Sequence, residues 1–226
     1  MKMIEINEIK KLVDSFKEYI FCEYYQEDKK CLEIKLKKII SNLGLPEVII
    51  NEFSELERIL KIDFISYLKN DPSIDDEREV LYCYPGFNAT ICYRLAHLLK
   101  EHKVKLIPRI ITELAHSKTG IDIHPASIIG EGLFIDHGTG VVIGETAIIG
   151  KNVKIYHGVT LGAFSTKKTI PRMDKMSKRH PTIEDDVTLY ANATILGGNT
   201  IIKKGATIGC NVIVTKTVEE YTKIIK

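Results

Sequence analysis

The chain has 226 residues, 44% of them apolar and 27% charged, a balance that excludes a disordered tail or a fibrous repeat and gives material for one or two packed cores. Lys and Arg number 32 against 30 Asp and Glu, so the formal net charge of +2 provides no field for a nucleic acid, and any anion site must be local. No run of 18 apolar residues offers a membrane span, and the opening MKMIEINEIKKLVDSF scatters charge where a secretory leader needs an apolar stretch, which predicts a cytoplasmic protein.

From residue 1 to about 118 the apolar residues recur at helical spacing, as in Ile9, Leu12, Val13, Phe16 and Ile20, then Leu32, Ile34, Leu36, Ile39 and Ile40. Turn signals at Asn42 to Pro46, Asn70 to Ser73 and Tyr84 to Gly86 divide this stretch into helical segments. Phe87 to Lys100 reads as an amphipathic helix, and another runs from about Val104 to Ser117 with Pro108 near its start. Residues 1–118 are therefore expected to form an α-helical domain. Cys22, Cys31, Cys83, Cys92 and Cys210 are odd in number and lack paired spacing, and they read as reduced thiols packed as small hydrophobes.

Residues 119–226 follow another rule, with 13 of the 15 glycines and a period of six. Steps of six connect Ile123, Ile129, Ile135 and Val141, then Ile143, Ile149, Ile155 and Leu161, then Ile183, Leu189, Ile195 and Ile201, and after a slip Ile202, Ile208 and Val214. Four residues after the aliphatic position, nine of eleven residues are Ala, Ser, Thr or Val, among them Ser127, Thr139, Ala147, Val153, Ala193 and Ala206, with Leu133 and Asn199 the exceptions. Two inward positions per hexad, one large and one compact, describe a solenoid of three short strands per triangular coil, with Gly130, Gly144, Gly150, Gly162 and Gly209 relieving the corners. The hexapeptide pattern predicts a left-handed parallel β-helix, so the chain as a whole is α+β. The repeat stops between Leu161 and Ile183, which predicts an extruded loop over 163–182. Its six Lys or Arg against one Asp suit a phosphorylated or carboxylated ligand, or else a solvated surface loop.

A coil takes about 18 residues, three hexads, so residues 15 to 20 apart fall on neighbouring coils of one face. Asp122 and His137, 15 apart, are then placed as a general base and the carboxylate that orients it, with Asp136 beside them. A structural His–Asp pair is the plainer alternative. His124, His137 and His157 could instead form a zinc trio on stacked coils, although no short ligand spacing supports it and no metal is expected.

The blocks Asp122-Ile-His-Pro-Ala126, Asp136-His-Gly-Thr-Gly-Val-Val-Ile-Gly-Glu-Thr-Ala147, His157-Gly-Val-Thr-Leu-Gly-Ala163, Lys178-Arg-His-Pro-Thr-Ile183 and Ala193-Thr-Ile-Leu-Gly-Gly198 resemble serine O-acetyltransferases among the hexapeptide-repeat acyltransferases. Similarity continues upstream through Asp71-Pro72, Pro85 to Ala89 and Tyr93 to His97, which look like that family's helical domain. The resemblance implies acetyl transfer from acetyl-CoA to the hydroxyl of L-serine, the first step of cysteine biosynthesis, by direct transfer. His137 matches the family's general base and Asp122 its orienting carboxylate. Asp136 matches a contact to the substrate amino group, Asp71 resembles the aspartate that the helical domain contributes to the serine site, Arg179 and His180 match the groups on the substrate carboxylate, and Glu145 a supporting position. Gly162, Ala163 and Ala191 match positions along the pantetheine arm of acetyl-CoA. A homotrimer with sites in the clefts between neighbours is implied, paired into a hexamer through the helices of 1–118. After Val214 the chain lacks the usual Gly-x-Pro-Ala segment and ends at Lys226 rather than Ile, which argues against a complex with cysteine synthase. An acetyltransferase for another hydroxyl acceptor and a catalytically inactive scaffold are the rival readings.

Overall fold

The computed structural model describes residues 5–164 and 177–225. Among them seven α-helices and a 3-10 turn precede fourteen short strands, and no helix is long and apolar enough to cross a membrane. The expected breaks separate real elements: Lys29–Asn42 from the 3-10 turn Glu47–Glu52, Phe53–Asn70 from Arg78–Tyr82, and Arg78–Tyr82 from Pro85–Glu101. Local chemistry sets these boundaries. The Asp28 side chain accepts the Cys31 amide at 2.9 Å and closes the first turn of Lys29–Asn42. Pro85 and Pro108 occupy first turns, where no amide donor is needed. Gly120, at φ +73°, ends the helix Ile107–Thr119 in the left-handed region and turns the chain into its first strand.

The strands stack as three parallel faces. One face orders Asp122–Ile123, Val142–Ile143, Thr160–Gly162, Thr194–Leu196 and Ile213–Val214. A second carries Ile128–Ile129, Ile148–Ile149, Thr182–Ile183 and Ile201–Ile202, and the third runs from Phe134–Asp136 through Lys154–Tyr156, Thr188–Leu189 and Thr207–Ile208 to Lys223–Ile224. The large member of each hexad points inward, and Ile135, Ile155, Leu161, Ile183, Leu189, Ile195 and Ile208 are fully excluded from solvent. Three positions depart from the expected register. Ile202 rather than Ile201 fills the interior, and Thr139 and Asn199 are exposed while Val141 and Thr200 take the inward places. The reason at Thr139 is a wide corner. His137, Gly138 and Gly140 all have positive φ, and the register Asp122↔Val142 shows that this coil advances 20 residues, against 18 for Val142↔Thr160. Gly130 serves close approach rather than unusual dihedrals, since a Cβ there would lie 2.7 Å from the Gly150 backbone.

The helices and the solenoid interlock. Tyr67 and Phe87 of the helical half meet edge to face at 5.3 Å, and Phe134 of the first coil packs on Tyr67 at 5.0 Å. Beside them lies a polar joint. Asp63, fully buried, pairs with Arg94 through contacts of 3.0 and 3.2 Å and accepts the amides of Gly132 and Leu133 at 2.8 and 3.0 Å. Arg94 in turn donates to the carbonyls of Ile129 and Gly130 at 2.5 and 2.6 Å. Every hydrogen-bonding group of the pair is used, so removing one partner strands the other in the interior. Asp63→Ala is expected to lower unfolding stability by about 3–5 kcal/mol in urea titrations. A loss under about 1 kcal/mol would mean that water reaches the joint and that the pair does not fix the first coil to the helices.

Candidate active site

Two clusters of chemically capable side chains occupy different corners of the triangular coil. The first lies where the third face turns into the first. Asp136 ends the strand Phe134–Asp136, and His137 follows in the left-handed region at φ +55°. Gly138, at φ +83°, lets the turn close, because a Cβ there would strike the Ile121 side chain at 2.4 Å. This geometry pushes the imidazole outward. The His137 side chain is 73% exposed, with Nε2 3.8 Å from Asp136 Oδ2. On the next coil the His157 ring lies 5.9 Å away, tilted by 58°.

Asp71 reaches the same corner from the end of the helix Phe53–Asn70. One of its oxygens accepts the Ser73 amide and hydroxyl at 2.9 and 2.6 Å, and the other accepts the Tyr84 hydroxyl at 2.5 Å. These bonds, with the nearby His137, hold the Asp71 carboxyl below the usual carboxylate range. Burial and the bond to Asp71 push the Tyr84 phenol up to about 12. Below Asp136 on the third face stands Tyr156, stacked on Tyr190 at 5.0 Å. Burial, Tyr190, Asp136 and Asp71 together push the Tyr156 phenol up, so the two carboxylates and this phenol share one electrostatic neighbourhood.

The second cluster lies on the first face and where it turns into the second. Asp122 accepts from Arg109 at 3.3 Å, and the same guanidinium pairs with Glu113 at 2.5 Å. Burial pushes the Glu145 carboxyl up, but its pairing with Arg179, together with nearby His124 and Lys100, holds it low. Thr146 is the anchor of this corner. Its hydroxyl accepts the amides of Arg179 and His180 at 2.9 and 3.0 Å, and its own amide donates to His180 Nδ1 at 3.1 Å. A ring nitrogen that accepts an amide proton is unprotonated, so neutral His180 carries its proton on Nε2. Burial first, then Arg179 and Lys178, push His180 down to about 4, which keeps it a neutral donor at ordinary pH. Gly144 makes the room, since a Cβ there would lie 2.0 Å from the His180 ring.

The structure thus unites some of the expected residues and separates others. His137, Asp136 and Asp71 are together, and Asp122, Glu145, Arg179 and His180 line a different part of the coil. The expected pairing of Asp122 with His137 is not formed within one chain. Asp122 stacks on Val142, five residues beyond His137, because the coil is 20 residues long there, and the carboxylate next to His137 is Asp136. The coenzyme positions divide in the same way. Gly162 and Ala163 close the first face, whereas Ala191 sits on the His137 corner beyond Tyr190. Residues 165–176, the middle of the expected loop, lie outside the described residues, as does Lys226. The histidine trio does not converge: His124 belongs to the first-face corner, half-buried and pushed down by burial and by Arg109 and Lys100. Among the described residues the one trio with metal-ligand spacing is Glu113, His116 and Asp122, two of which Arg109 already engages. Tyr84, Thr146 and Arg109 escaped sequence reasoning. Tyr84 stood in a turn signal and Thr146 inside a repeat block, with nothing to mark their partners.

No family model matches the sequence. Over 169 residues, 73% of its length, the chain is 48% identical to a plasmid-borne serine acetyltransferase of Synechococcus elongatus and spans 51% of that relative. Over 147 residues, 65% of its length, it is 47% identical to the serine acetyltransferase of Helicobacter pylori and spans 81% of it. Among solved structures, serine acetyltransferase 1 of Entamoeba histolytica in complex with L-cysteine superposes with a TM-score of 0.85 at 32% identity, covering 99% of this chain and 87% of that one. Serine acetyltransferase of Brucella abortus in complex with coenzyme A gives a TM-score of 0.74 at 28% identity, covering 95% and 78%.

Proposed function

Because the chain belongs to the serine acetyltransferase family, we propose that it transfers an acetyl group from acetyl-CoA to the hydroxyl of L-serine, giving O-acetylserine and CoA. The observation that carries this reading is the His137 corner: an outward imidazole on a strained turn, flanked by Asp136 and by Asp71 from the helical half. Two carboxylates suit the substrate ammonium. The imidazole then lies beside the hydroxyl of an amino acid held by its charged end.

In the reaction His137 takes the hydroxyl proton as the serine oxygen attacks the thioester carbon. The tetrahedral intermediate collapses, the C–S bond breaks, and the proton passes to the departing thiolate. A serine hydroxyl is a poor nucleophile near neutral pH, so a positioned base accounts for about 10²- to 10⁴-fold of the rate. Arg179 and the neutral Nε2–H of His180 receive the substrate carboxylate, with Glu145 setting the guanidinium. Asp122 orients His137. Gly162, Ala163 and Ala191 lie along the coenzyme arm, where small residues admit it. Since His137 and Asp136 occupy one corner and Asp122, Arg179 and His180 another part of the coil, the complete site is shared between neighbours of a homotrimer, and trimers pair through their helical halves into a hexamer. The enzyme acts in the cytoplasm at the first step of cysteine biosynthesis.

Thiol release from acetyl-CoA, measured against L-serine and a panel of sugar and other hydroxyl acceptors, tests the assignment. L-serine is expected to be the preferred acceptor. Release with another hydroxyl compound and none with serine would overturn it.

A further inference from the structure

Three contacts tie Asp71 to the strand that presents His137. The Ile135 amide donates to the hydroxyl of Tyr67, which is fully buried, at 3.2 Å. The Tyr67 ring meets Tyr84 edge to face at 5.7 Å and 88°. Tyr84 donates to Asp71 Oδ2 at 2.5 Å. The backbone after Tyr84 is fixed as well, because Gly86 lies so close to the strand that a Cβ would sit 2.2 Å from the Ile135 carbonyl oxygen. The Asp71 backbone is held by its amide, which donates to the Tyr67 carbonyl at 3.0 Å, but its side chain, set before exposed Pro72 and Ser73, bonds otherwise only to Ser73 of its own turn.

We propose that Tyr84 is a positioning residue for the amino-acid acceptor: its hydroxyl holds Asp71 Oδ2 in fixed register with His137, so that the carboxylate meets the substrate ammonium where the hydroxyl can reach the base. The proposal rests on the reading of Asp71 as an acceptor contact. Serine lacks bulk, and its ionic ends and hydroxyl must all be placed at once. A carboxylate anchored only to a turn residue samples other rotamers, and each of them loosens the grip on the ammonium before the acceptor is bound. Tyr84 removes that freedom without touching the reacting atoms. It acts on substrate placement, not on proton transfer.

Tyr84→Phe keeps the ring that packs on Tyr67 and deletes the one hydroxyl, so the fold is retained. In steady-state assays it is expected to raise the KM for L-serine about tenfold, with kcat and the KM for acetyl-CoA within about twofold of wild type. Deleting a donor to Asp71 also lets its carboxyl rise, which carbon-13 NMR of the Asp71 carboxyl follows directly. An unchanged serine KM, or a fall in kcat with KM unaltered, would overturn the proposal. A wild-type enzyme that fails to acetylate serine would overturn the functional reading instead. The Asp71 titration then decides the Tyr84 contact on its own, an upward move supporting it and an unmoved one refuting it.

Discussion

Replacing His137 by Ala is expected to lower kcat for acetyl transfer to L-serine by about 10²- to 10⁴-fold, with the KM of either substrate within about twofold of wild type. The imidazole is 73% exposed on its corner and makes no hydrogen bond that supports the coil, so its loss removes proton transfer rather than structure. The corner itself needs a residue that accepts φ of +55°, and His137→Asn, an amide at home in the left-handed region, separates the two effects. Both variants should lose the same activity, and the Asn variant should unfold at the wild-type temperature while the Ala variant unfolds lower. His157 lies 5.9 Å from His137, ring to ring, and is the one imidazole placed to take over. The double variant with His157→Ala therefore measures any residual proton transfer. An Asn variant with wild-type kcat would remove His137 from the chemistry.

The solenoid was legible in the sequence because each inward position is chemically specified and repeats every six residues, so even a local slip leaves the next hexad to restore the pattern. Errors arose only where a corner changed length. Thr139 and Asn199 were expected inward, and extra or displaced turn residues hand those places to Val141 and Thr200. The same 20-residue coil explains the misplaced Asp122: a spacing of 15 approximates one coil only when every corner is tight, and the positive-φ run at 137–140 is not. Contacts between the two halves left no trace in local pattern. Asp63 and Arg94 stand among helical residues like any surface pair, 31 positions apart, until packing buries them against residues 129–133. Thr146 and Tyr84 act through single hydroxyls whose partners come from distant sequence. Periodicity reports which face a residue takes, and it carries no information on what a side chain meets across a non-repeating interface.

Chains carrying His137→Ala and chains carrying Arg179→Ala, each impaired alone, are expected to regain activity when unfolded and refolded together. Within one protomer the His137 corner joins the third face to the first, and the Arg179 corner joins the first to the second, with the strands of the first face between them. A serine of a few ångströms cannot bridge a face of the coil. Its ammonium and carboxylate can engage both corners only when a neighbouring protomer brings its Arg179 corner against His137. Arg179→Ala alone should lower serine kcat/KM by about 10²-fold or more, because the substrate carboxylate loses its charged partner. In equal mixtures assembling at random into trimers, about a quarter of sites draw a native His137 from one chain and a native Arg179 from the next, and activity should recover to about that fraction. The double variant in a single chain, mixed with wild type, controls for dilution. If both residues acted within one protomer, every site in the mixture would lack one of them, and the mixture would be no more active than the average of its two components.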